Sequence, residues 1–276
     1  MVRPTIAGDT MKQSIGVLDS GIGGLSVVRE INALLPAEDI VYFGDSAWCP
    51  YGVRSAEEIQ ERVFAIADLL LARGCKALVI ACNSATIAAV EGLRASYPVP
   101  IIGMEPGVRP AVAMTKSGVV GVFATEASIR GEKFHRLLNS HAHSVKVITR
   151  PCPEFVDLIE RGVTSGEEAE AVVRRHVDPM LAAEADVLVL GCTHYPFLAP
   201  LIEMIAGGGV SLVDTGTAVA RQLGRVLDKE GLLCGDAGEG ELHILTSGDP
   251  AHYRAVIARL PRVRAPQSVV ASGQTV

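Results

Sequence analysis

The chain has 276 residues, with 25 Lys and Arg against 31 Asp and Glu, a formal net charge of −6. It has no long basic run, which argues against nucleic acid as the main partner. Hydrophobic residues make up 49% but aromatics only 4%, so the core is aliphatic and suits helices packed on parallel strands better than an aromatic-rich β-sandwich. No apolar run reaches the roughly 18–20 residues of a membrane span, and the first residues lack the apolar stretch of a secretory signal. Six cysteines in a chain this long do not make the disulfide framework of a small secreted domain. The expectation is free thiols in a reducing, cytoplasmic setting, with no membrane partner.

Residues 1–13 read as a loose, mobile leader. Ser14-Ile-Gly-Val-Leu-Asp19 reads as the first strand, followed by the turn Ser20-Gly-Ile-Gly-Gly24 and a helix over about Leu25–Leu35 that Pro36 stops. A second strand, Asp39–Phe43, ends in the loop Gly44–Gly52. Ser55 and Glu58 form a capping box for a helix running to about Ala72, with Gly74 closing it. Ala77–Ala81 is a third strand, Cys82 a turn, and a helix then reaches about Ser96. A short strand over Val99–Glu105 ends at Pro106-Gly107.

There the order restarts. Gly118–Thr125 repeats the opening strand, with a helix from about Ser128, a strand at Val145–Thr149, then Pro151-Cys-Pro153 and a helix through Glu160. A helix over 167–183 leads into the strand Val187–Leu190 and the turn at Cys192, and Val210–Gly216 takes the part of the short strand. Gly16-Val-Leu-Asp-Ser20 matches Gly121-Val-Phe-Ala-Thr125 at an offset of 105 (121 − 16), and Cys82 matches Cys192 at 110 (192 − 82). Repeats of this length are whole domains. A final helix, a strand at Leu242–Leu245 and a helix at Pro250–Leu260 complete the first one. The fold expected is α/β, with two pseudo-symmetric domains, each a mainly parallel sheet flanked by helices, and an active-site cleft between them. The first covers 14–106 plus 216–262 and the second 107–215; the tail 265–276 is expected to be mobile.

Each domain then carries one cysteine at the carboxyl end of a central strand, where open α/β sheets place their ligands. A helix N-terminus after each would lower the thiol below its usual value of about 8.5. A single nucleophilic thiol needs no second copy. Two matched thiols on opposing walls suit a reaction with mirror symmetry. Racemisation is one: a base takes a proton from one face of a carbon and an acid returns it to the other. The sulfurs would flank the reacting carbon at about 3–3.5 Å, roughly 7 Å apart.

The chain resembles the glutamate racemases, through Val17-Leu-Asp-Ser-Gly-Ile-Gly-Gly24, Gly44-Asp-Ser with Pro50-Tyr-Gly52, Ala81-Cys-Asn-Ser84, Cys152-Pro-Glu-Phe-Val156 with Glu160, and Gly191-Cys-Thr-His-Tyr-Pro196. That resemblance implies cofactor-independent interconversion of L- and D-glutamate, supplying D-glutamate for peptidoglycan. It implies Cys82 and Cys192 as the acid/base pair, Cys82 acting on D-glutamate and Cys192 on L-glutamate, with Asp19 and His194 assisting. It places Asp19, Ser20, Tyr51, Gly52, Asn83, Ser84, Thr193 and His194 at the substrate, with Asp45, Glu160 and Thr125 in support. Neither a cofactor nor a metal is implied. Members of that family are often dimers, so a homodimer is expected, without a patch in the sequence to carry it. Ser84 stands where threonine is common, and Trp48-Cys49 is an atypical stretch of its loop.

Other readings carry less. Gly21-Ile-Gly-Gly-Leu-Ser26 lacks the third glycine of a dinucleotide loop. Cys192-Thr-His194 has no second Cys or His pair at metal-ligand spacing. Cys75 and Cys234 read as small buried hydrophobes. Cys152 reads equally as packing or as cleft lining, and Glu160 equally as an exposed helix residue. His135, His141, His143 and the run Glu167–Glu170 read as solvated surface. The alternatives are an aspartate or hydantoin racemase with the same two thiols, and a two-domain binding protein, which would need no paired thiols.

Overall fold

The computed structural model describes residues 13–131, 136, 145–235 and 238–273. Residues 1–12 of the expected leader, and His135, His141 and His143, lie outside the described residues.

Branched apolar runs become parallel strands whose two faces are both covered, as the continuous Val, Leu and Ile patterning requires. The first half of the chain gives β1 (Ile15–Asp19), α1 (Leu25–Leu34), β2 (Ile40–Gly44), α2 (Ala56–Ala72), β3 (Ala77–Ile80), α3 (Asn83–Ser96) and β4 (Ile101–Gly103). After α4 (Val108–Met114) the pattern repeats with β5 (Val119–Ala124), α5 (Glu126–Arg130), β6 (Lys146–Pro151), α6 (Pro153–Glu160), α7 (Glu167–Ala182), β7 (Val187–Gly191), α8 (Ala199–Ala206) and β8 (Ser211–Val213). The chain closes with α9 (Gly216–Lys229), β9 (Leu242–Thr246), α10 (Pro250–Ile257) and β10 (Ser268–Ala271).

Two sheets result. The first runs β10-β9-β2-β1-β3-β4 and the second β6-β5-β7-β8, with parallel pairing throughout. The second sheet has the same order as the β2-β1-β3-β4 part of the first, so the sequence repeat is a repeat of topology. β1 and β5 occupy matching central positions, and β3 and β7 lie beside them. The side chains of β1, β3 and β7 are fully buried along their lengths. As expected, Ser55 accepts from the Glu58 amide and Glu58 accepts from the Ser55 amide, closing the capping box of α2.

The chain after Gly216 joins the first sheet: α9 packs along α1, and β9 pairs with β2. The expectation of a mobile tail is corrected. Ser268–Ala271 add an edge strand to β9, and Val269 is buried in the main apolar cluster. The four-residue Ser-Val-Val-Ala segment is too short to stand out as a strand until an existing edge offers it hydrogen bonds. Cys75 is buried as expected, whereas Cys234 is only half-buried, in the turn after α9. All six cysteines are free. No helix among the described residues is long and apolar enough to cross a membrane.

If the tail is structural, a chain ending at Ala265 should lose the burial of Val269 and the β9 pairing. The expected loss is about 1.5–3 kcal/mol of unfolding free energy, read from the urea midpoint. An unchanged midpoint would mean that β10 contributes nothing.

Candidate active site

The carboxyl ends of β1, β3, β5 and β7 converge. Asp19 closes β1, Cys82 follows β3 as the residue capping α3, Thr125 follows β5, and Cys192 follows β7. Between them lies a cavity of about 10 Å³ lined by Ser20, Pro50, Tyr51, Gly52, Cys82, Asn83, Ser84, Thr125, Val156, Cys192, Thr193 and His194. Both cysteines are therefore on one cavity, one from each sheet. Space of this size holds about one water, so the walls are nearly closed on each other.

The walls are joined by hydrogen bonds from the first sheet to the second. Asp19 is fully buried behind the cavity, accepting from the Gly21 amide at 2.9 Å and from the Thr193 hydroxyl at 3.0 Å. Ser26 at the start of α1 donates to the Thr193 carbonyl at 2.8 Å. Ser84 and Thr125, one from each half, lie 3.1 Å apart through their hydroxyls. Thr125 also caps α5 by accepting from the Ser128 amide.

At the second thiol, Cys192 Sγ is 3.6 Å from His194 Nδ1, and His194 Nε2 is 2.7 Å from Glu160 Oε1. The Ile22 amide donates to the same carboxylate oxygen at 2.8 Å. The glycines of the turn supply clearance: a Cβ on Gly23 would overlap the His194 ring, and one on Gly21 would overlap the Glu160 carboxylate. Burial alone would lower the His194 imidazole, but its bonds to Cys192, Cys49 and Glu160 outweigh this and raise it well above its ordinary 6.5. Burial would raise Glu160, and its bond to His194 outweighs that and lowers it. An imidazolium–carboxylate pair is the consequence.

At the first thiol, Cys82 Sγ lies 3.8 Å from the Ser20 hydroxyl. The expectation of a lowered thiol is corrected here. Burial, with the nearby Asp19, pushes Cys82 up to about 12, outweighing the Ala85 amide at the start of α3. A helix terminus acts over its first turn only, and full desolvation of a thiolate costs more. Cys192 departs from expectation in another way, since the four-residue 3-10 turn Tyr195–Leu198 follows it and α8 starts only at Ala199. Its close partner is His194. Burial also raises the Asp19 carboxyl, against the lowering effect of His194.

Asn83 lines the cavity with both Oδ1 and Nδ2 buried and without a protein hydrogen bond. Buried polar atoms are nearly always paired, so this amide has hydrogen-bonding capacity to offer a polar group in the cavity. Tyr51 lines the wall, and its hydroxyl donates to Asp45 at 2.6 Å. Asp45 itself does not reach the cavity. It is fully buried and holds Arg62 in a two-pronged pair at 2.7 Å on each side, with Ser247 donating at 2.6 Å. Glu160 likewise stands behind His194 and is not an idle surface residue. Cys152 is buried but lines no part of the cavity; it donates to the Arg150 carbonyl. Glu167 and Glu168 are exposed.

Sequence reasoning missed several contributors. Arg62 sits on the apolar face of α2 with Ile59, Val63 and Ile66, and a charge inside an apolar stripe was a legible sign of a buried partner. Tyr42 and Tyr253 both donate to the Gly21 carbonyl at 2.7 Å, fixing the glycine turn. Tyr253 is 232 positions away from Gly21, and no local signal announces it. Cys49 packs 3.6 Å from Glu160 Oε1.

A family model for Asp/Glu/hydantoin racemases matches residues 15–223. The chain belongs to this family. It is 51% identical over 244 residues to the glutamate racemase of Herpetosiphon aurantiacus, covering 88% of this chain and 96% of that one. The fold is similar to the Escherichia coli glutamate racemase solved with L-glutamate and the activator UDP-MurNAc-Ala (TM-score 0.82, 29% identity, 94% of this chain and 98% of that one). It is also similar to the Francisella tularensis glutamate racemase solved with D-glutamate (TM-score 0.78, 31% identity, 94% and 96% covered). The chain is thus an isomerase, an amino-acid racemase with the two-domain α/β fold of this family.

Two outcomes follow from the geometry. Asp45→Ala should leave the Arg62 guanidinium buried without its carboxylate partner, lowering unfolding free energy by about 3–5 kcal/mol; a urea midpoint equal to wild type would show that the pair does not matter. His194 should remain protonated above neutral pH in an NMR titration. Because its value is raised on folding, the stability it contributes is full below about 6.5 and is lost as pH rises through its folded value. An imidazole found neutral at pH 7 would contradict the pairing with Glu160.

Proposed function

We propose that the protein interconverts L- and D-glutamate by two-base proton transfer between Cys82 and Cys192, and so supplies D-glutamate for peptidoglycan. The observation that carries this reading is the pair of thiols from matching strands of two sheets lining one cavity. The relatives named as glutamate racemases, one solved with each enantiomer, support glutamate as substrate. The six free thiols support a cytoplasmic setting.

In this reading Cys82 removes the α-proton of D-glutamate and Cys192 returns one to the opposite face, with the roles exchanged for L-glutamate. The first thiol is protonated when the closed site holds no substrate, because burial opposes its charge. An amino acid brings its ammonium group into the same low-dielectric space, and that positive charge offsets the cost of the thiolate. His194, charged and held by Glu160, stabilises negative charge at Cys192 or hands it a proton. Asp19 sits near both sides and is held by Thr193. Asn83, Ser20, Ser84, Thr193, Thr125 and the Tyr51-Gly52 segment supply small hydrogen-bonding groups for the two carboxylates and the ammonium. Water exclusion on closure strengthens all of these interactions during the reaction.

The working units are inferred as 14–106 with 216 onward, now extended to include β10, and 107–215. Since the cavity is too small for an amino acid, these units part to admit one. The Tyr51, Asp45 and Arg62 network keeps the first wall rigid while this happens.

The test is incubation with each glutamate enantiomer in D2O, following optical rotation and α-hydrogen exchange, with aspartate as control. Wild type should lose rotation from both glutamate enantiomers. Cys82→Ser and Cys192→Ser should each fall by about 10²–10⁴-fold. Retained rotation with wild type removes the glutamate assignment, and full turnover in either serine variant removes the two-base mechanism.

A further inference from the structure

We propose that Cys49, His194 and Glu160 together form an inhibitory binding site for a thiophilic divalent cation, Zn²⁺ being the best match. Among the described residues, these three bring one sulfur, one ring nitrogen and one carboxylate oxygen within 4.8 Å of one another. They come from the loop after β2, the end of α6 and the turn after β7, so no sequence spacing announces them.

The geometry is close to what the ion requires. Zinc bonds sulfur at about 2.3 Å and nitrogen or oxygen at about 2.0–2.2 Å, in a tetrahedron. Its donor atoms are therefore separated by about 3.3–3.7 Å. Cys49 Sγ and Glu160 Oε1 already stand 3.6 Å apart, while His194 Nε2 and Glu160 Oε1, at 2.7 Å, need to open by only a fraction of an ångström. Three protein ligands leave the fourth position to water, as in an open zinc site. The Ile22 amide, 2.8 Å from Glu160 Oε1, orients the carboxylate from outside, and Cys192 faces the other ring nitrogen of His194. Gly21 keeps the space clear, since a Cβ there would overlap the carboxylate and come 2.9 Å from the Cys49 sulfur. Cys49 is half-buried and the Glu160 side chain is 24% exposed, so the ligand set has a side toward solvent.

Binding releases protons and transfers no electrons. The Cys49 thiol gives its proton to solvent as the Zn–S bond forms, and His194 gives up the Nε2 proton it shares with Glu160 as the Zn–N bond forms. The ion then holds both side chains that support Cys192, and proton transfer at that thiol stops. Metal binding itself is independent of the reaction assigned above; the loss of turnover rests on that assignment.

The experiment uses full-length, metal-free protein in a non-thiol reductant. Zn²⁺ is titrated against a chromophoric chelator, and Co²⁺ serves as a spectroscopic stand-in. Wild type, Cys82→Ser and Cys192→Ser should bind one ion per chain and show a thiolate-to-cobalt charge-transfer band. Cys49→Ser should lose the band and bind at least about tenfold more weakly. A band kept in Cys49→Ser and lost in Cys82→Ser or Cys192→Ser would overturn the site, as would no stoichiometric binding in wild type. For turnover, Zn²⁺ should slow wild-type racemisation reversibly on chelation, while Cys49→Ser keeps its own metal-free rate at the same concentration. Stoichiometric binding through Cys49 with unchanged wild-type turnover would overturn the inhibitory role alone.

Discussion

Everything at the site depends on the contact between the glycine turn after β1 and the Cys192–His194 turn after β7. Asp19 reaches across to Thr193, Ser26 to the Thr193 carbonyl, and the Ile22 amide to the carboxylate that holds His194. The turn comes close enough for this because Gly21 and Gly23 have no side chains to strike Glu160 and His194. Two tyrosines pin its carbonyl from beneath. A short stretch of backbone from the first sheet thus positions Thr193, His194 and Glu160 around Cys192. It also explains why the two thiols, although related by the repeat, have different surroundings: Cys82 sees a serine hydroxyl, and Cys192 an imidazolium.

That asymmetry sits on a symmetric scaffold. The matching strand orders bring one thiol from each sheet to a single cavity, which suits the two-base reaction proposed above. The two substrates are nonetheless not mirror images within a chiral protein, and the supporting groups need not match. The raised Cys82 and the charged His194 describe one protonation state of the site, with the thiol of one wall protonated and the imidazole beside the thiol of the other charged. Under the proposed two-base reaction, one thiol gives a proton to the substrate carbon as the other takes one, and the direction of turnover sets which.

Much of this was legible in the residues. The continuous apolar runs gave the parallel strands, and the offset between Gly16–Ser20 and Gly121–Thr125 gave the duplication. The motifs around Cys82 and Cys192 named residues that do line one cavity. What stayed hidden was long-range. Arg62 under Asp45, Tyr253 under Gly21 and Cys49 beside Glu160 have partners that only the fold brings near. Edge strand β10 was hidden for the same reason, since its hydrogen bonds belong to β9. The Cys82 thiol was misjudged because a helix terminus can be read from sequence, whereas the depth of burial that opposes it cannot.

The closed cavity gives the burial a purpose. Asn83 keeps two polar atoms away from water with no protein partner, an arrangement that costs about 1–3 kcal/mol when a buried polar group is left unmet. The raised Cys82 adds a second cost to any charged state of the empty site. In the proposed reaction both costs fall when an amino acid enters, because a carboxylate accepts from Asn83 Nδ2 while the ammonium group can donate to Oδ1 and balance a thiolate. On that proposal, part of the binding energy is converted into readiness for proton transfer instead of tighter holding of the ground state. An open, water-filled site would have neither cost and would gain nothing from the substrate's charges, since water would already screen them.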